Sequence, residues 1–323
     1  MKTIFKFMAC FAMFASASIV FTSCDDSDKD EELTIRGLLP SEEFNIPNIQ
    51  KENHDADIAK FNITTTGAEY ESIELLGDGT YIIAKAGASE EKAKAFANDE
   101  DGEETTPSMI QKVSRKANDD SDLYIIGSYE TVNTGKDYLL KNFGELEIEG
   151  ESDVKVLTIT NSITGRTSIV NATAMNLNNV SDATKALCRT WNYDYMDTWG
   201  YLSSKLLGHL KYIGGSNPRF EGESDFLDDY DIAGLDDYDE MARQVVFTRF
   251  HTYFVTYNDG STEVSTWQWS NESQGILYYN WQYNGDDNGY VTVRFSGKQM
   301  RIYENYKYSL AQIIIVNTLS AAQ

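Results

Sequence analysis

Histidine, cysteine and positive charge are the scarce resources of this 323-residue chain. It has three His and three Cys, and 27 Lys and Arg stand against 51 Asp and Glu, a formal net charge of −24. With no basic stripe to offset that charge, nucleic acid is excluded as a partner, because its phosphates would be repelled. The same imbalance excludes a purely electrostatic hold on an anionic bilayer. His54, His209 and His251 are too scattered to build a metal site or a general base. No nucleophile stands in a motif of reactive spacing, and the many carboxylates fall in no distinctive pair of the kind glycoside hydrolysis uses. The chain is therefore not expected to be an enzyme. The apolar run from Phe7 to Phe21 is about 15 residues, too short for a stable membrane span and of the length of an export signal.

What is present first concerns address. Lys2 and Lys6 form a charged n-region ahead of the apolar run, and Thr22-Ser23 then lead into Cys24. This resembles the lipobox of bacterial lipoproteins, with Phe21 where that family usually has Leu. The resemblance implies a signal peptide over 1–23, cleavage before Cys24, and a thiol carrying diacylglycerol. Residues 25–32 (DDSDKDEE) make an acidic tether, a solvated spacer by composition. Within it, Lys29-Asp30-Glu31 is similar to the export signal of surface lipoproteins of Bacteroidetes; in an enterobacterial setting Asp25 would instead imply retention at the inner membrane. The favoured implication is a lipid-anchored outer-membrane protein facing the cell surface, held by its acyl chains. Cys10 would leave with the signal and Cys24 would be acylated, so Cys188 would remain alone and no internal disulfide is expected.

The rest reads as all-β, with two antiparallel β-meander or barrel-like domains and short helices. Residues 24–62 are read as tether and extended linker, 63–175 as an N-terminal β domain, and 181–323 as a C-terminal one. In the first, Tyr70–Lys85 is a hairpin around Gly77-Asp78-Gly79. An acidic, apolar-poor insertion over 88–122 follows, then short strands through Ala172. Glu145-Leu-Glu-Ile-Glu149 alternates cleanly, which predicts a strand buried on one face. In the second half, 182–188 is a short helix and Tyr201–Tyr212 has helical spacing, with Leu202, Leu206, Leu207 and Leu210 on one face. Val245–Tyr257 reads as one strand, turned by Asn258-Asp259-Gly260-Ser261 into Glu263–Trp269. Gly79-Thr-Tyr-Ile-Ile83 is similar to His251-Thr-Tyr-Phe-Val255, and Gly127-Ser-Tyr129 to Ser265-Thr-Trp267, in the same order, which suggests a degenerate duplication.

Leu187-Cys-Arg-Thr-Trp191, Phe247–Gly260, Ser265–Trp269, Ile276–Tyr279 and Val291–Ile302 together resemble the lipocalin-like domains of surface lipoproteins from gut Bacteroidetes. Arg189 and His251 stand where that family has glycine. The resemblance covers roughly 110–130 residues and implies a small up-and-down barrel or curved sheet without catalytic residues.

Two constellations are candidate sites. All five Trp lie after residue 190, and by alternation Trp267 and Trp269 share a face, as do Tyr279, Trp281 and Tyr283. With Tyr253, the residues Trp267, Trp269, Trp281 and Tyr279 either line a mouth that takes a small hydrophobic ligand or glycan, or fill the barrel. Residues 225–240 hold eight carboxylates in sixteen residues. Counted as a calcium loop from Asp229, they place Asp231, Gly234, Asp237 and Glu240 at the third, sixth, ninth and twelfth positions, with Ala233 breaking the pattern at the fifth. Either a loose Ca2+ site or a plain solvated loop follows; no other cofactor is expected. The functional alternatives are a non-catalytic lipoprotein binding a small ligand or glycan, and a structural or assembly lipoprotein docking on another outer-membrane protein.

Overall fold

The computed structural model describes residues 40, 44–46, 57–88, 123–175, 177, 180–203, 205–223, 238–279, 290–308 and 311–322. They form two antiparallel β-barrels. The first is a closed up-and-down barrel of β1 (Asp57–Ile63), β2 (Tyr70–Leu76), β3 (Thr80–Lys85), β4 (Tyr124–Asn133), β5 (Asp137–Leu140), β6 (Gly144–Glu149), β7 (Val154–Asn161) and β8 (Arg166–Ala174). It closes where Phe61, Asn62 and Ile63 pair with Ala174, Thr173 and Ala172. The expected alternation in β6 is present: Leu146 and Ile148 are buried while Glu145, Glu147 and Glu149 face water. A Cβ at Gly144 would overlap the Thr160 carbonyl oxygen, so only glycine lets β6 and β7 come together there. The interior is filled by Tyr81, Phe143, Leu146, Leu157 and their neighbours, with no charged side chain in the cluster.

After helix α1 (Asp182–Leu187), capped by the Ser181 hydroxyl, which accepts from the Thr184 N–H, the second barrel begins. Its strands are β9 (Thr190–Leu202), β10 (Lys205–Ile213), β11 (Arg219–Gly222), β12 (Ala242–Phe247), β13 (Thr252–Tyr257), β14 (Thr262–Asn271), β15 (Ile276–Tyr279), β16 (Tyr290–Ser296), β17 (Gln299–Tyr308) and β18 (Ala311–Ala321). β9 closes the barrel on β18 along nearly its whole length. On its other side the first residues pair with β12 and those from Tyr195 onward with β10. The β10–β11 ribbon therefore branches off an eight-stranded barrel.

Three expectations are corrected. Residues 57–62 belong to β1 rather than to a linker: Ala59, Phe61 and Ile63 alternate into the core. Tyr201–Tyr212 is not a helix but the β9–β10 hairpin. From Gly208 the buried residues Leu210 and Tyr212 follow a period of two, and Leu206, placed on the apolar face of the expected helix, is 37% exposed. Val245–Tyr257 is two strands, broken by a turn at 248–251 with His251 at φ +64°. The insertion, except for Ala88, lies outside the described residues.

That turn shows the internal repeat in physical form. In the first barrel the Gly79 N–H donates to the Leu76 carbonyl, and in the second the His251 N–H donates to Thr248. The Gly79 and His251 carbonyls each accept a backbone N–H, from Tyr129 at 2.6 Å and from Trp267 at 2.9 Å respectively. Both turn residues have positive φ, +86° and +64°. A buried aromatic donor closes each corner: the Tyr129 hydroxyl to the Leu76 carbonyl at 2.7 Å, and Trp267 Nε1 to the Thr248 carbonyl at 3.0 Å. The register agrees too, with Thr80, Tyr81 and Ile82 opposite Ser128, Gly127 and Ile126, and Thr252, Tyr253 and Phe254 opposite Thr266, Ser265 and Val264.

The barrels meet through these repeated strands. Leu76 and Ile82 of the first form one apolar cluster with Val246, Phe254 and Val264 of the second, bordered by Tyr124 and Ile126. Ile82 and Phe254 are equivalent in the repeat, as are Ile126 and Val264, so each barrel offers the same outward face, as in an isologous dimer interface. A buried polar group crosses it: Lys60 Nζ donates to Thr252 Oγ1 at 3.0 Å, Thr252 Oγ1 donates to Glu74 Oε2 at 2.9 Å, and Lys60 and Glu74 lie 3.3 Å apart.

Candidate functional site

Strand alternation aims three polar side chains into the second barrel. Glu304 follows Ile302 by two residues, Asn317 follows Ile315, and Thr198 follows Met196, and those three apolar partners belong to the core. Glu304 and Thr198 both face Ile315, and Asn317 lies in the adjacent row opposite Ile302 and Met196. Glu304 is 1% exposed and the other two are 0%. Asn317 Nδ2 donates to Glu304 Oε1 at 2.8 Å, while Asn317 Oδ1 and Thr198 Oγ1 have no partner. Buried polar atoms normally find one. Tyr193 lies close enough to feel this group. Burial, and then the Glu304 charge, push the Tyr193 phenol far up. Tyr257 is also raised by burial and by Glu263, whose Oε2 accepts its hydroxyl at 2.8 Å. Among the described residues the buried carboxylate of the first barrel is Glu74, which faces Thr252 of the second barrel rather than its own interior, so the two interiors differ in chemistry.

The aromatic candidates divide. Trp267 is 0% exposed in the core, edge-on to Phe247 at 6.0 Å, and Tyr253 is buried beside Phe247. They fill the barrel and line no open mouth. Trp269 shares the inward face as expected, but at the rim: it is half-buried, donates from Nε1 to Thr184 Oγ1 of α1 at 3.0 Å, and meets Trp267 edge-on. The Tyr279 backbone pairs with Trp267; its side chain and Trp281 lie outside the described residues. So do Asp229, Asp231 and Asp237 and the side chain of Glu240, whose backbone ends a single 3-10 turn. Among the described residues no group of three or more His, Cys, Asp or Glu could hold a metal ion. Cys24 is outside them as well. Cys188 is buried and forms no disulfide.

Of the histidines, His251 contacts Trp267 at 5.1 Å, and its Nδ1 donates to the Trp267 carbonyl at 3.1 Å. Burial holds its pKa below the usual value against that hydrogen bond, with Lys60 lowering it further and Glu74 raising it. His209 stacks on Trp199 at 4.8 Å and bonds Asp197 at 2.9 Å. His54 lies outside the described residues.

Sequence reasoning missed Phe44. It was read as part of a linker, yet its ring packs on Trp269 and Phe295 of the second barrel, with centroids 5.9 Å apart in both pairs. It also missed a groove of about 460 Å³ on the first barrel, between 65–69 and 166–170. Ile169 in its lining is 70% exposed, and Ile163, in the turn between β7 and β8, is 77% exposed; no periodicity singles out such residues. In comparisons with known proteins, no protein-family model and no curated protein matches the chain.

Proposed function

We propose that the chain is a non-catalytic, lipid-anchored lipoprotein of the outer membrane, facing the cell surface, whose paired barrels form a rigid platform docking on another outer-membrane protein. The observation that carries this reading is that both barrels are filled by their own side chains, Tyr81 and Phe143 in one and Trp267, Phe247 and Tyr257 in the other. Recognition is thereby left to outer surfaces. The open groove lined by the exposed Ile169 supports it, since an exposed apolar side chain in a groove is a feature of contact sites. The lipobox-like Cys24 and the acidic tether supply the anchor, and the likeness of the second half to lipocalin-like domains fits a barrel used without catalysis. In cells, radiolabelled palmitate should enter the chain and not Cys24→Ala. A photo-crosslinker at position 169 should join the chain to one membrane protein, and Thr167→Asp, in the same groove, should abolish the product. Unchanged labelling of Cys24→Ala removes the anchor; absence of any crosslink removes the docking surface.

A second reading, a small polar ligand inside the second barrel, is favoured by the unpartnered Asn317 Oδ1 and Thr198 Oγ1. A bound water would satisfy the same atoms. Mass spectrometry of the intact chain under native conditions separates the two: a retained small molecule lost in Asn317→Leu supports a ligand.

A further inference from the structure

We infer that the rim of the second barrel is a docking pocket for one aromatic side chain of a peptide segment, and that Phe44 of the chain's own N-terminal arm occupies it. Phe44 precedes the first barrel in sequence but packs against the second. Its ring is edge-on to Trp269 and tilted on Phe295, and the Arg294 guanidinium lies 5.9 Å from its centroid. Gly275 makes the room: a Cβ there would sit 2.5 Å from Phe44 Cδ2 and 2.7 Å from the Val293 carbonyl oxygen. Gly275 also has φ +64°, a second reason for glycine.

The walls are fixed independently of the occupant. Trp269 is tied to Thr184 on α1, and Arg294 donates to the Gln274 and Val293 carbonyls. Phe295 is stacked on Trp191, whose Nε1 donates to Leu187 at 2.8 Å. A pocket whose walls are held without its occupant is preorganised, and binding then costs little reordering. Among the described residues of the arm, Phe44 supplies a ring to the pocket, and Asn45 and Ile46, next in sequence, are exposed. A single ring is a weak hold, made effective by tethering, since a segment joined to its site acts at roughly millimolar concentration. A partner segment of the same chemistry can therefore take the place of Phe44 and free the arm. This extends the docking proposal by naming the chemistry of a second contact, and it does not depend on the groove beside Ile169.

The test uses the full chain in detergent and a fluorescent synthetic peptide of residues 40–50 (PSEEFNIPNIQ). The Phe44→Ala chain should bind it saturably, the wild-type chain at least ~10-fold more weakly because its own arm competes. A peptide with Ala for Phe should bind the Phe44→Ala chain about 30-fold more weakly, as expected for one buried phenyl ring. Trp269→Ala in the Phe44→Ala background should also lose binding. Equal binding of both peptides, or none by a Phe44→Ala chain with wild-type circular dichroism, overturns the inference. A wild-type dimer that becomes monomeric in Phe44→Ala overturns occupation by the chain's own arm. Phe44→Ala should leave the crosslink from position 169 intact, so loss of the pocket and loss of the docking reading are told apart.

Discussion

Replacing Lys60 by methionine should strongly destabilise the protein at the contact between the barrels. Glu74 is 2% exposed, and its Oε2 takes the Thr252 hydroxyl and the Lys60 ammonium, while Oε1 has no partner. Without Lys60 a buried carboxylate keeps a single neutral donor, and breaking such a pair from one side costs about 3–5 kcal/mol. Glu74→Gln is milder. It keeps an acceptor for Thr252 and leaves a lysine that is 14% exposed, so about 1–2 kcal/mol is expected, the cost of an imperfectly satisfied polar group. The double change Lys60→Met with Glu74→Leu removes both charges, and the apolar neighbours Val246 and Phe254 suit it; it should lie within about 1 kcal/mol of wild type or above it. Urea unfolding with two probes reads this. Every Trp lies after residue 190, so tryptophan fluorescence follows the second barrel alone, while circular dichroism follows both. The wild-type transitions should coincide, and Lys60→Met should pull them apart as the contact fails. The reasoning is refuted if Lys60→Met costs less than about 1 kcal/mol, or if the double variant is no more stable than Lys60→Met.

Tyr129→Phe and Trp267→Phe remove the equivalent donors of the two corners. Each carbonyl keeps the turn N–H of Gly79 or His251, so Tyr129→Phe should cost about 0.5–1.5 kcal/mol in urea unfolding, the worth of one hydrogen bond, with Trp267→Phe costing more because indole volume is also lost. Burial pushes the Tyr129 phenol up to about 12. The unfolded chain releases that proton first, so the stability it contributes is complete below pH ~10 and declines from there toward ~12; in Tyr129→Phe this part of the alkaline slope should vanish. His251 has a lowered pKa, so the unfolded state binds its proton first: the contribution is full above pH ~6.5 and falls as the pH drops toward the depressed folded value. His251→Asn, which tolerates the left-handed backbone, should flatten the thermal melting profile between pH 5 and 7. A profile unchanged in that variant assigns the acid dependence to other groups.

The fold was legible where a period of two ran uninterrupted between turn residues. β6 shows it in Leu146 and Ile148, and β16 in Val291, Val293 and Phe295, all buried. β1 carried the same signal in Ala59, Phe61 and Ile63, but Asp57 and Lys60 made it resemble linker. The Tyr201–Tyr212 misassignment came from leucine spacing that satisfies both periods, which Gly208 and Tyr212 resolve only once β9 is known to lie alongside. The turn at 248–251 has no Gly, Pro, Asn or Asp to announce it; His251 holds the left-handed backbone through its bond to Trp267 and its ring contact. At the site, alternation gave the shared face of Trp267 and Trp269 but not its depth, because depth depends on how many large side chains the other strands send inward. Phe44 had no local signal at all, since its partners lie more than 200 residues away in the chain.

The matched corners separate what the repeat requires from what each barrel is free to change. A tyrosine in one corner and a tryptophan in the other share little in shape, yet each delivers one buried N–H or O–H as a second donor to the turn carbonyl. Glycine and histidine likewise occupy the same positive-φ position, the histidine offsetting a backbone cost of about 1–2 kcal/mol with contacts glycine cannot make. The repeat is thus held by backbone geometry and donor placement, which leaves the interiors free to diverge. Among the described residues, the buried carboxylate of the first barrel, Glu74, turns outward to the second barrel, and its core cluster is apolar. The second kept a carboxylate, an amide and a hydroxyl in its core and an aromatic pocket at its rim, so recognition chemistry, where this molecule has it, concentrates in the second barrel while the first contributes surface and the buried lysine and glutamate that hold the pair together.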